Sequence, residues 1–278
     1  MPAPTGTAPT LSTVHGLTLP IQAYKPTAAE QNLVTDAEEK LISQCMSEFG
    51  FTWKYVPSNV SNYNEVTREY GVTDLATVRQ YGYQLPPAEA GGQSAGNSAT
   101  PAASGPLSPS ELLVLSGSTT GSTPGNAPAV YRGRQVPHGG CAGQARARVT
   151  GVDEIDPTDL VDTIGLGMWQ ESQSDPRVLK AFGDWSACMR QAGYSFPTPL
   201  AAAARWAGKA VSQAQIDTAV TDVRCKQRTN LIGIWFTVES GYENEAIRRN
   251  IKSLTEIRSL WAAAARKAAR VLGVAATQ

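Results

Sequence analysis

Apolar positions recur at spacings of three and four over much of this chain, the signature of helices that bury one face. From Thr27, the residues Val34, Ala37, Leu41, Cys45 and Phe49 form one such stripe that ends at Gly50. Thr27 and Glu30 match the capping box, in which a hydroxyl and a carboxylate each satisfy a backbone N–H of the first turn. A shorter helix is predicted between Thr73 and Gly82, because glycine accepts the left-handed geometry of a helix end. Val178, Phe182, Trp185, Met189 and Ala192 give the cleanest stripe, opened by Asp175-Pro176. Asp156-Pro157 has the same form, an Asp cap with proline at the first helical position, where its missing N–H costs nothing. Ser212 with Gln215 opens a further helix carrying Ile216, Ala219, Val223, Arg224 and Cys225. From about Glu239 to Leu272 no proline occurs, and Ile247, Ile251, Leu254, Trp261, Ala265, Ala268 and Leu272 repeat close to a heptad, broken by Arg258. This predicts a long terminal helix.

Between the helices the chain changes character. Residues 1–26 are rich in Pro, Thr, Ala and Gly and read as a flexible N-terminal tether. They contain no basic segment followed by an apolar one, so the expectation is a mature chain or a start further upstream. Residues 86–131 hold only two charges, Glu89 and Glu111, and read as a low-charge Gly/Ser/Pro linker or long loop. Ser108-Pro109-Ser110-Glu111 marks a short helix inside it. The predicted organisation is therefore a tether (1–26), a first helical unit (27–85), the linker (86–131) and a second helical unit with the long terminal helix (132–278). Strands remain open around Trp53 to Val56.

The strongest signal is an internal repeat. Cys45-Met46 and Cys188-Met189 each open the pattern C-M-x3-G, aromatic, any residue, aromatic, closing at Trp53 and Phe196. Cys and Met on the inner face, Gly at the helix end and aromatics folded back on the last turn make one physical unit. One later cysteine follows each copy, so Cys45 with Cys141 and Cys188 with Cys225 is the preferred pairing among the three possible. Each staple would contribute roughly 3 to 5 kcal/mol by restricting the unfolded chain. An even number of cysteines without C-x-x-C suits an oxidising compartment.

Composition narrows the function. With 24 Lys+Arg against 24 Asp+Glu in 278 residues, the chain lacks the positive surplus that nucleic-acid binding uses, and no nucleic-acid partner is expected. No run of 18 apolar residues occurs, so no membrane span is expected. Two histidines leave little material for zinc or copper sites, and neither metal nor cofactor is expected.

Several segments together resemble a group of secreted, lipoprotein-like proteins of streptomycetes and related actinobacteria. They are Leu19 to Tyr24, the helix ending Cys45-Met46 with Phe49-Gly50-Phe51, Tyr81-Gly82-Tyr83, Gly139-Gly140-Cys141, and Trp185-Ser186-Ala187-Cys188-Met189. The likeness runs from about residue 18 to 255. It implies an extracytoplasmic setting, secreted or lipid-anchored, and no particular reaction. The chain departs from that pattern in having no lipobox cysteine and no signal segment.

Candidate chemistry is sparse. His138 lies beside Cys141, and a thiol hydrolase needs an imidazole next to its thiolate; a half-cystine on a Gly-rich turn is the better expectation. A serine triad would have to use His15 or His138, and no G-x-S-x-G elbow occurs. Asp153, Glu154, Asp156, Asp159 and Asp162 could offer oxygen ligands to a hard cation, but acids in a first helical turn also complement its dipole. Glu239, Glu243 and Glu245 lie among Trp235, Phe236 and Tyr242, an arrangement open to glycoside hydrolysis by a carboxylate pair; core packing of the aromatics along one helical face is favoured instead. No phosphate-binding glycine motif occurs.

The expected fold is mainly α, with two disulfide-stapled helical units. The expected function is non-catalytic binding or adaptor work outside the cytoplasm, on a protein or cell-envelope partner. The alternative is a cell-wall-acting hydrolase using His138/Cys141 or a carboxylate pair near Glu239. A third is a structural protein that self-associates through the terminal helix.

Overall fold

A computed structural model describes residues 7–55, 57–58, 66–86, 106–119, 129–151 and 159–275. Helices dominate: α1 (Ala28–Glu48), α2 (Val66–Glu69), α3 (Leu75–Tyr81), α4 (Pro109–Ser116), α5 (Gly140–Thr150), α6 (Asp159–Ser172), α7 (Pro176–Gln191), α8 (Pro199–Ala204), α9 (Gln213–Thr229) and α10 (Leu231–Leu272). A 3-10 turn spans Pro20–Tyr24, and an antiparallel hairpin pairs β1 (Val130–Tyr131) with β2 (Arg134–Gln135). The anticipated caps form. The Thr27 hydroxyl accepts from the Glu30 N–H at 3.2 Å while the Glu30 carboxylate accepts from the Thr27 N–H at 2.8 Å. Ser108 and Glu111 repeat the arrangement on α4, and Asp175 caps α7 through the Arg177 N–H at 2.9 Å.

The chain divides into two compact units, each discontinuous in sequence. One comprises Met1–Lys25, Tyr63–Gln93 and Leu160–Leu254; the other comprises Pro26–Asn62, Ser94–Asp159 and Thr255–Gln278. The consecutive blocks 27–85 and 132–278 therefore do not coincide with the units. Tyr70, Val72, Val78 and Tyr83 share a core with Trp185 and Trp235, whereas α1 shares a core with Cys141, Ala145 and Val149. Of the heptad-like stripe of α10, Ile247, Leu254, Ala265 and Ala268 are buried, Trp261 and Leu272 are half-buried and Ile251 is exposed. At Asn250 the backbone of α10 leaves helical geometry (φ −115°, ψ 15°), and the Asn250 amide donates to the Ala246 carbonyl at 2.8 Å.

Each unit is held by one cystine. Cys45 on α1 is bonded to Cys141 on α5, with Cα atoms 5.6 Å apart, and Cys188 on α7 to Cys225 on α9, with Cα atoms 5.7 Å apart. The two copies of the repeat agree atom by atom. The N–H groups of Phe49 and Phe51 donate to the Met46 carbonyl, both at 3.1 Å, and those of Ala192 and Tyr194 donate to the Met189 carbonyl at 3.0 and 2.9 Å. Gly50 and Gly193 supply the left-handed residue (φ 83° and 88°) that lets the chain turn back. A serine two residues before each cysteine completes the motif: the Ser43 hydroxyl donates to the Trp53 carbonyl at 2.9 Å and the Ser186 hydroxyl to the Phe196 carbonyl at 2.6 Å. Ser43→Ala and Ser186→Ala are each expected to cost about 1 kcal/mol, the usual net worth of such a bond, in denaturant titrations of the single variants.

Where the copies differ, the exchange is coherent. The Trp53 indole N–H donates to the buried Glu39 carboxylate at 2.9 Å. The corresponding positions of the second copy, Phe182 and Phe196, are both apolar and join the core there. An indole N–H and its acceptor have been replaced together by a pair that needs no hydrogen bond, which leaves no buried polar group unmatched.

Residues 7–25, expected as a tether, pack against their own unit. Val14, Leu19 and Ile21 are buried. The Asn230 side chain accepts from the Leu11 N–H and donates to the Pro9 carbonyl, both at 3.0 Å, as an adjacent strand would. Gln227 donates to the Ser12 carbonyl at 3.2 Å, and Glu243 accepts from the Ile21 N–H at 3.0 Å. A Cβ at Gly233 would collide with the Pro9 carbonyl, so glycine is required for this close approach.

Candidate functional site

Cys141 is fully buried and oxidised, so it offers no thiol for His138, which is exposed. A tight junction surrounds it. Gly139 and Gly140 have φ of 67° and 69°, and a Cβ on Gly140 would run into the Leu115 backbone. The Gly-Gly pair lets the end of α4 sit against the start of α5 and places Cys141 over Cys45.

Of the acidic stretch, residues 153–156 lie outside the described residues. Asp162 pairs with Lys25 at 2.7 Å. Among the described residues no group of three His, Cys, Asp or Glu side chains is arranged to hold a metal ion.

The aromatics near Glu239 are core residues. Trp235 is fully buried, 5.0 Å from Tyr70 and 5.0 Å from Phe182 between ring centres, and its indole N–H donates to the Ser172 hydroxyl at 2.7 Å. Tyr242 donates to Asp175 at 3.3 Å. Glu245 forms ion pairs with Arg248 and Arg249.

Glu239 and Glu243 are the exception. One turn apart on α10, both are buried, and Glu69 and Tyr70 at the end of α2 face them. Burial, reinforced by the neighbouring Glu69 and Glu243 charges, pushes Glu239 up to about 9. Burial likewise raises Tyr70 far above its ordinary range, with Glu239, Glu69 and Glu243 adding to the effect. Burial and its acidic neighbours thus hold Glu239 neutral at pH 7. The sequence marked Glu239 and Glu243 but not Glu69, which lies 170 positions away.

A neutral buried acid has a thermodynamic consequence. Folding takes up a proton between the ordinary glutamate value of 4.5 and about 9, so the Glu239 contribution to stability declines as pH rises across that window. Glu239→Gln mimics the neutral form. It is expected to remove a decline of about 1.4 kcal/mol per pH unit, gaining a few kcal/mol over the parent at pH 8 and little at pH 5. Urea midpoints of the two proteins at pH 5, 7 and 9 measure it.

A second sealed cluster shares the same unit. Asp222 and Lys226 are fully buried on α9, with N···O 3.1 Å. Asp222 accepts from the Tyr83 hydroxyl at 3.1 Å and the Trp185 indole at 2.9 Å, and the Lys226 ammonium also donates to the Val72 carbonyl at 2.7 Å. Burial raises Asp222 and lowers Lys226, and in each case the partner's charge opposes it. The network ties α3, α7 and α9 to one another, and its position in the core makes it structural.

Cations and aromatics meet at the exposed hairpin, as Arg205 and Lys209 do over Trp206, 5.6 and 5.5 Å from its ring centre. Arg132, at the tip of the hairpin, lies 5.3 Å from the centre of the Tyr131 ring, and Arg134 lies 5.2 Å from that of Phe49. Phe51 and Tyr131 are 5.2 Å apart, and Arg134 also pairs with Glu48 at 3.2 Å. Comparison with protein-family models, with curated proteins and with solved structures finds no match.

Proposed function

We propose that the protein is a non-catalytic binding or adaptor protein that works outside the cytoplasm on a protein or cell-envelope partner. The observation that carries this is the pair of cystines, one closing each unit between buried helical faces. Disulfides of this kind form and persist in oxidising compartments. No helix among the described residues is long and apolar enough to cross a membrane. The hydrolase alternative loses its thiol, because Cys141 is bonded to Cys45. It also loses an accessible carboxylate pair, because Glu239 and Glu243 are 0% and 1% exposed. Self-association through the heptad-like stripe is disfavoured by the burial of Ile247, Leu254, Ala265 and Ala268 within the chain itself, which leaves Ile251 as its exposed large residue.

The test is co-sedimentation of the oxidised full chain with washed cell-envelope preparations, with soluble sugar and amine release assayed in the same tubes. Saturable binding without fragment release is expected. Time-dependent release of soluble fragments would overturn the proposal in favour of a hydrolase.

A further inference from the structure

We propose that Glu69, Glu239 and Glu243 form a proton-dependent latch, which holds residues 7–25 against their unit while Glu239 is protonated and frees them when it ionises. The geometry supplies both halves of the device. Glu243 is the acceptor for the Ile21 N–H, at 3.0 Å, and Ile21 itself is only 3% exposed. Glu239 lies one helical turn from Glu243, out of water, and Glu69 approaches from α2. With a proton on Glu239, Glu243 accepts from Ile21 beside a neutral neighbour. A charge on Glu239 would place like charges one turn apart in a site with little water to screen them, and that repulsion works against the Ile21 bond to Glu243. Glu243 thereby couples the site to the N-terminal segment, whose hold includes the Ile21 bond, the Asn230 and Gln227 contacts at residues 9–12, the Lys25–Asp162 pair and the buried side chains of Val14, Leu19 and Ile21.

The groups that face Glu239 are Glu69 and Tyr70 from the end of α2 and Glu243 from its own helix. On the strap and α6 the charged pair is Lys25 with Asp162, and at the start of α7 Asp175 and Arg177 engage each other and Tyr242. Tyr70 keeps its proton across the range in which Glu239 titrates, since its own value is raised further. Glu239 is therefore the group whose ionisation sets the transition, and the drive for release grows as pH rises to about 9.

The experiment is an NMR titration of the full oxidised chain labelled at isoleucine δ1-methyls, from pH 6 to 10.5. The Ile21 methyl is expected to move from its native position towards that of an exposed isoleucine as pH rises to about 9 and to change little above it, while the Ile164, Ile232 and Ile247 methyls stay in place. Glu239→Gln should hold the Ile21 signal native throughout. Glu69→Gln keeps the latch and removes one neighbouring charge, so its midpoint should fall by about one pH unit, a tenfold change in proton affinity. An unmoved Ile21 signal in the parent protein, an unchanged transition in Glu239→Gln, or simultaneous movement of every isoleucine would each overturn the latch. If Glu239→Gln does not fold, the direction of the Glu69→Gln shift decides the matter alone.

Discussion

Replacing Cys45 and Cys141 by alanine is expected to destabilise the protein by about 5 kcal/mol. The bond closes a separation of 96 residues, and restricting so long a loop in the unfolded state yields about that much on the chain-entropy account. The shorter Cys188–Cys225 closure, with a separation of 37, should cost about 4 kcal/mol when removed. Either loss is a large share of the whole stability of an ordinary domain. Guanidinium unfolding of the two double variants under non-reducing conditions measures both, and the larger loss should belong to the longer loop. An equal or reversed order would mean that packing around Cys141, rather than loop closure, dominates.

Lys226→Met should cost about 3 to 5 kcal/mol. The substitution preserves most of the volume, but it removes the ammonium that balances Asp222 in a site with no exposure. Asp222 would keep only the Tyr83 and Trp185 donors, and the Val72 carbonyl would lose its partner. The double variant Asp222→Leu/Lys226→Met should recover much of the loss, because an apolar pair needs no counter-charge. Sign and pH dependence agree. Without Lys226 the folded-state pKa of Asp222 lies further above that of the unfolded chain, so the variant's deficit should shrink as the medium is acidified and Asp222 takes up a proton. Urea titrations at pH 4.5 and pH 7.5 separate this account from simple loss of packing, which would be pH-independent.

Local features were legible in the sequence because local physics determines them. Thr27 with Glu30, Ser108 with Glu111, and Asp175-Pro176 each announce a helix start over four residues or fewer, and each does so in the structure. The cysteine pairing was legible for another reason: the repeat around Cys45 and Cys188 says that two equivalent units exist, and each then needs one partner. What the sequence concealed were contacts between distant segments. Residues 7–25 have the composition of a tether, yet Asn230, Gln227 and Glu243 supply the polar partners that their extended backbone requires. Asp222 and Lys226 have the spacing of an ordinary surface ion pair on a helix, and only the arrival of Val72, Tyr83 and Trp185 puts them in the core. The same holds for Glu69, whose meeting with Glu239 depends on residues 66–86 crossing to the unit built around Trp235.

The most direct test of the two-unit architecture is a peptide map of the oxidised protein, alkylated without reduction and analysed by mass spectrometry. The structure predicts two linked pairs, Cys45 with Cys141 and Cys188 with Cys225, and no alkylated cysteine. A link between the units, such as Cys45 with Cys188, or a Cys141 that alkylates readily at neutral pH, would contradict it.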